Sequence, residues 1–131
     1  MTRVQAVDPE SLPRPDGHSH GAKGFGDWVF VSAQVGRNRE GRMVSADLVE
    51  QLAQALDNAL DVVWAAGGTA ASLARVTIYV CDAREYRLRQ RKIDEAWRRR
   101  LLGHRPALTV LEVAGFLDEE ARVAVEAVAL V

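Results

Sequence analysis

Residues 105–113 (RPALTVLEV) and 122–131 (RVAVEAVALV) read as two strands with no side that water would favour. β-Branched and apolar residues fill both, and Pro106, which cannot donate to a central ladder, marks the entrance to the first. Alternation puts Ala107, Thr109, Leu111 and Val113 on one face of the first strand, against Leu108, Val110 and Glu112. In the second, Val123, Val125, Ala127, Ala129 and Val131 oppose Ala124, Glu126, Val128 and Leu130. Strands that are apolar on both faces are buried on both faces. Glu126 is the one ionisable group in the middle of the second strand, and a carboxylate among apolar neighbours is costly unless a partner satisfies it.

The rest of the chain supplies too little cover for such a sheet. Residues 1–16 carry Pro9, Pro13 and Pro15 and read as an extended arm, of which 3–7 can form a short edge strand. Residues 17–26 form a glycine-rich loop with His18 and His20. A strand follows at 28–34 (WVFVSAQ), then a turn at 37–41 that returns as a hairpin through Met43 and Val44. Ser45 is placed to cap a helix reaching about Ala66, with Leu48, Leu52, Leu56, Ala59, Leu60 and Val63 in one stripe and Gly67-Gly68 ending it. Residues 75–81 alternate as a strand with one wetter face. Asp82 caps a second helix to about Leu102, whose stripe is Tyr86, Gln90, Ile93, Trp97 and Leu101.

Two amphipathic helices cover one face of this sheet and leave the other bare. The bare face would exceed the roughly 300–600 Å² of contiguous apolar surface that monomers tolerate, so copies of the chain are expected to pack their open sheet faces together in a closed ring. At 131 residues and 48% hydrophobic, the chain is expected to be one domain with a substantial core. A net charge of −1 gives no global attraction to nucleic acid or an anionic membrane, no apolar run is long enough to span a bilayer, and no secretory leader is evident. Cys81, the only cysteine, fits a reducing cytoplasm and reads as an inert small hydrophobe.

Several pieces, in this order, resemble the Rid/YjgF family of reactive-intermediate imine deaminases, also called L-PSP endoribonuclease-like proteins. They are Val31-Ser32-Ala33-Gln34, the helix ending Ala65-Ala66-Gly67, Val76-Thr77-Ile78-Tyr79-Val80, Arg105-Pro106-Ala107 and Val125-Glu126-Ala127-Val128-Ala129. The resemblance covers nearly the whole chain. It implies a chorismate-mutase-like α+β domain with a mixed sheet, two helices on one face, and a cytoplasmic homotrimer with small-molecule clefts between subunits. Active members hydrolyse 2-imino acids to 2-keto acids and ammonia. An arginine holds the substrate carboxylate through its planar fork, and a glutamate on the last strand positions the water.

Carried over by position, the glutamate is Glu126 and the serine of the first strand's motif is Ser32, followed by Ala33. The asparagine of the second helix is Gln90 and the tyrosine one turn later is Ile93. The loop aromatic falls at His18 or Ser19, and the carboxylate-binding arginine is replaced by Leu108, next to Thr109. A leucine cannot hold a carboxylate, and losing such a pair removes about 1.5–3 kcal/mol of binding. Arg105 lies an odd number of residues away and so leaves the opposite side of the strand. The expected ligand is therefore a small metabolite other than the usual 2-imino acids. The activity is expected to be hydrolysis of a different imine or enamine guided by Glu126, or, in the alternative, non-catalytic binding of a ligand or protein on the same trimer.

Other readings carry less. His18 and His20 lack a third ligand at metal-binding spacing, so no metal and no cofactor are expected. Ser32 has no His/Asp partner in view and reads as a hydrogen-bonding group, not a nucleophile. The arginines of the second helix are interleaved with Asp82, Glu85, Asp94 and Glu95 and have no aromatic platform, which favours a solvated face over RNA binding or cleavage.

Overall fold

The computed structural model describes residues 3–131; Met1 and Thr2, the start of the expected arm, lie outside the described residues. The element order is β1 (Val4–Val7), β2 (Gly21–Gly24), β3 (Trp28–Gln34), α1 (Leu48–Ala65), β4 (Leu73–Val80), α2 (Ala83–Leu88), α3 (Gln90–Leu101), β5 (Ala107–Glu112) and β6 (Val123–Leu130). β3, β6, β4 and β5 form a four-stranded mixed sheet in that order. β6 runs antiparallel to both neighbours, while β4 and β5 are parallel and joined by the α2–α3 crossover. β1 and β2 form a separate two-stranded ribbon, so the expected edge strand pairs outside the main sheet.

Register fixes which residues share a face. Val76, Ile78 and Val80 of β4 stand beside Ala127, Val125 and Val123 of β6 and beside Leu108, Val110 and Glu112 of β5. This is the helix-covered face. Leu52, Ala55, Leu56, Ala59 and Val63 of α1 and Ile93, Trp97 and Leu101 of α3 close on it as one apolar core. The opposite face carries Thr77, Tyr79, Glu126, Thr109 and Leu111. No helix among the described residues covers it: Phe30 is 71% exposed, Trp28 67% and Leu111 49%, and the rings of Trp28 and Phe30 stack at 5.8 Å.

The differences from the sequence reading coincide with specific contacts, several of them between residues distant in the chain. The cap of α1 is Asp47, not Ser45; its carboxylate accepts from Glu50 N, while Ser45 Oγ accepts from Asp47 N and shapes the entry. The second helix is two helices, broken at Arg89, whose guanidinium is drawn to Asp47 at 2.7 Å. The hairpin after β3 returns only as an isolated bridge between Arg37 and Met43. Gln51, absent from the expected stripe, is fully buried: its amide donates to the Ser45 and Glu120 carbonyls and its oxygen accepts from Arg122 N. Gly36 makes this approach possible, since a Cβ there would lie 2.7 Å from the Gln51 Cα.

Candidate functional site

A cavity of about 470 Å³ opens between the helix-covered side of β4–β5 and the α2–α3 pair. One wall is Leu108, Val110 and Glu112, three alternate residues of β5 that must share a face. The other wall is a helical stripe running from Ala83, Tyr86 and Arg87 across the break to Gln90, Ile93, Asp94 and Trp97. Asp16, Gly17 and His18 close one end. The walls are held at both ends. Glu112 accepts a hydrogen bond from Ala83 N at 2.9 Å, tying β5 to the start of α2. At the far end Trp97 Nε1 donates to Gly17 O at 2.8 Å, and Ser19 bridges to Ala107 beside it.

The interior is chiefly apolar, with polar groups toward the edges. Gln90 Nε2 donates to Asp94 at 2.8 Å, and Arg98 pairs with Asp16 at 3.1 Å. Tyr86 is buried; loss of solvent around its hydroxyl, with the Asp94 charge nearby, pushes its pKa up to about 12. His18, Gln90, Ile93 and Leu108 therefore meet in one cavity. Gln90 is exposed at its rim instead of buried in the helix stripe.

Ser32 and Glu126 are elsewhere. They lie on the open face of the sheet, in a shallow cleft of about 360 Å³ with Phe30, Arg75 and Thr77. The regular register of β3 against β6 runs to Val31 opposite Ala127, so the next positions, Ser32 and Glu126, fall beside each other before the pairing shifts toward Gln34. Glu126 is half-buried, and its neighbours are more polar than the strand's own sequence suggests. Tyr79, diagonal to it on β4, donates its hydroxyl to the carboxylate. That hydrogen bond, followed by desolvation and the carboxylate's charge, raises the pKa of Tyr79. Nothing in the one-strand pattern of β6 could reveal Tyr79; the signal was the wetter face of β4.

Ala33 lines a third, polar groove with Arg37, Asn38 and Asn58, and Thr109 is exposed on the open face. Arg105, on the far side from Leu108, is bound to Asp8 and does not line the cavity. Among the described residues no group of His, Cys, Asp and Glu could hold a metal ion; His20 Nε2 lies instead 2.7 Å from the Pro13 carbonyl. No helix is long and apolar enough to cross a membrane among the described residues. Several helix arginines are paired, Arg89 with Asp47, Arg98 with Asp16 and Arg100 with Asp57, which fits a solvated face.

Known proteins share this architecture. The endoribonuclease L-PSP family matches residues 11–131. A RutC family protein of Haemophilus influenzae is 28% identical over 127 residues, covering 97% of each chain. The human 2-iminobutanoate/2-iminopropanoate deaminase is 26% identical over 103 residues, covering 78% of this chain and 72% of its own. The crystal structure of YyfB from Yersinia pestis, described as a protein of unknown function of the conserved Rid family, superposes with a TM-score of 0.88 at 26% identity, covering 98% and 99% of the two chains. By its sequence and by its fold, this chain belongs to the Rid/YjgF (endoribonuclease L-PSP) family.

Proposed function

We propose that the protein works as a homotrimer whose small-molecule clefts form where the 470 Å³ cavity of one subunit meets the Ser32–Glu126 face of the next. In that cleft it hydrolyses an imine or enamine other than the short 2-imino acids. The observation that carries this reading is the position of Leu108, in the wall of the cavity beside Val110 and across from Ile93. An apolar side chain there recognises an apolar part of the ligand. A short 2-imino acid would leave its carboxylate unpaired against that wall, which is costly.

The open sheet face supports the assembly. Phe30 and Trp28 expose a stacked aromatic pair at the β3 edge of this face and Leu111 an apolar group at its β5 edge, surface that needs cover, and Glu126 and Ser32 line the cleft beside Phe30. Glu126 is the water-positioning base. Water adds to the C=N carbon while its proton passes through the carboxylate to the nitrogen; collapse of the adduct yields a carbonyl compound and ammonia or an amine. Tyr79 holds the carboxylate in place by its hydrogen bond.

The test is a coupled imine-hydrolysis assay with wild type, Leu108→Arg and Glu126→Gln. Poor wild-type turnover of 2-iminopropanoate and 2-iminobutanoate, with a gain in Leu108→Arg that Glu126→Gln abolishes, is the expected pattern. Rapid wild-type turnover that depends on Glu126 would overturn it. A second reading, a non-catalytic binding module, is favoured by the same Tyr79 hydrogen bond, because it occupies the carboxylate that would move the proton. Ligand binding without turnover of any imine in a broad panel would select that reading.

A further inference from the structure

We infer that the cavity takes a monocarboxylate whose acidic group is held by Arg87, displaced along the cavity from Leu108, with its apolar body lying over Leu108 and Val110. This deepens the proposed reading of the same site by naming its ligand class, and it rests on that cavity being the binding site.

The argument begins with charge. The cavity lining holds two guanidinium groups, Arg87 and Arg98. Arg98 is engaged by Asp16 at 3.1 Å. Arg87 has no salt-bridge partner among the described residues, although Glu112 and Asp94 line the same cavity. Those two carboxylates already accept hydrogen bonds, Glu112 from Ala83 N and Asp94 from Gln90. An unpaired guanidinium at the edge of an apolar hollow is suited to a planar acid group, which it grips through two N–H donors.

Position comes from the two anchored ends. Ala83 lies at the Glu112 end of β5 and Trp97 at the Gly17–Ala107 end, so the helices run back along the strand. Leu108 therefore lies nearer the level of Ile93, and Arg87 nearer Val110. Arg87 and Ile93 lie on either side of the Arg89 break, so helical rise gives about 9 Å as an upper bound on their separation along the wall, and Leu108 and Val110 are about 7 Å apart along the strand. The positive charge has thus moved some 7–9 Å along the cavity from Leu108. A ligand that reaches both ends needs an aliphatic spacer of about five carbons, which the apolar walls of Val110, Ile78 and Ile93 would cover. Short acids cannot bridge it.

The probes are propanoate, hexanoate and hexan-1-ol, titrated by calorimetry into wild type, Arg87→Ala and Arg99→Ala, the last a charge-loss control on the exposed side of α3 outside the cavity. Hexanoate is expected to bind wild type and Arg99→Ala alike and to lose about tenfold or more in Arg87→Ala. Hexan-1-ol is expected to bind more weakly than hexanoate to wild type and to ignore Arg87→Ala, and propanoate to bind none of them. Equal hexanoate affinity in wild type and Arg87→Ala, equal affinity for acid and alcohol, or no hexanoate binding to wild type would each overturn the assignment. The readout is binding alone. Arg87-dependent hexanoate binding without turnover of any imine would sink the hydrolase reading and leave this one standing.

Discussion

Leu108 and Glu126 project from opposite faces of one sheet. Leu108 stands beside Val76 and Glu126 beside Thr77, consecutive residues of β4 whose side chains alternate. Within one chain the apolar cavity wall and the carboxylate cannot meet across the strand between them. A cleft using both must borrow one from a second copy. The uncovered aromatic pair Trp28–Phe30, on the same side as Glu126, supplies a reason for that copy to be there.

Leu108→Arg tests the cavity wall. Leu108 is half-buried beside the apolar core, so the new guanidinium must reach toward the cavity mouth; a stability loss of about 1–2 kcal/mol is expected in thermal melts. The same variant should bind propanoate measurably where wild type shows no binding, because the charge now sits where a short acid can use it. No gain in calorimetry would show that position 108 does not face the ligand.

Glu126→Gln should alter how Tyr79 titrates. The carboxylate accepts the Tyr79 hydroxyl and its charge opposes the phenolate, so Tyr79 ionises above 10.0 in the wild type. Removing the charge should bring the midpoint down toward 10.0, read by tyrosinate absorbance against a Tyr79→Phe reference. Identical titrations in wild type and Glu126→Gln would mean that the two groups are not coupled.

Tyr86 sets an alkaline limit on stability. Its folded pKa is raised to about 12 from 10.0, chiefly by burial. Because the folded state holds this proton more tightly than the unfolded chain, its contribution is full below pH 10.0 and is lost as pH rises toward about 12. The loss is on the order of 2–3 kcal/mol. Tyr86→Phe should remove that decline in urea melts between those pH values while leaving stability near neutrality within about 1 kcal/mol.

Gln51→Leu should be among the most damaging single changes in α1. It orphans the buried Arg122 N–H and the Ser45 and Glu120 carbonyls at once. A loss of about 3 kcal/mol or more is expected in denaturant melts. Gln54→Leu, at a half-buried position one turn further along α1 that loses only its hydrogen bond to Asn58, should cost less than about 1 kcal/mol.

The order of elements and the choice of faces could be read from the chain because they follow from local alternation and helical spacing. β5 and β6 show it best: Leu108 and Val110 on one side and Glu126 on a strand with no wet face follow from a period of two. What escaped was set by distant residues. The break at Arg89 falls where its guanidinium pairs with Asp47, and the buried amide of Gln51 is matched by Arg122, far along the chain. The separation of Leu108 from Glu126 was implicit in the alternation, but only the pairing of both strands with β4 makes it visible. Arg87 carried no signal in sequence, since one arginine among many on a charged helix marks nothing until its wall of the cavity is known.

The mass of the particle in solution tests most directly whether the open sheet face is an interface. Light scattering coupled to size exclusion, at micromolar protein, should give roughly three times the 14.4 kDa chain mass for wild type and a smaller particle for Phe30→Asp, which places a charge in the exposed aromatic pair of that face. A wild-type particle of 14.4 kDa, soluble and stable with Phe30 and Trp28 bare, would contradict the account.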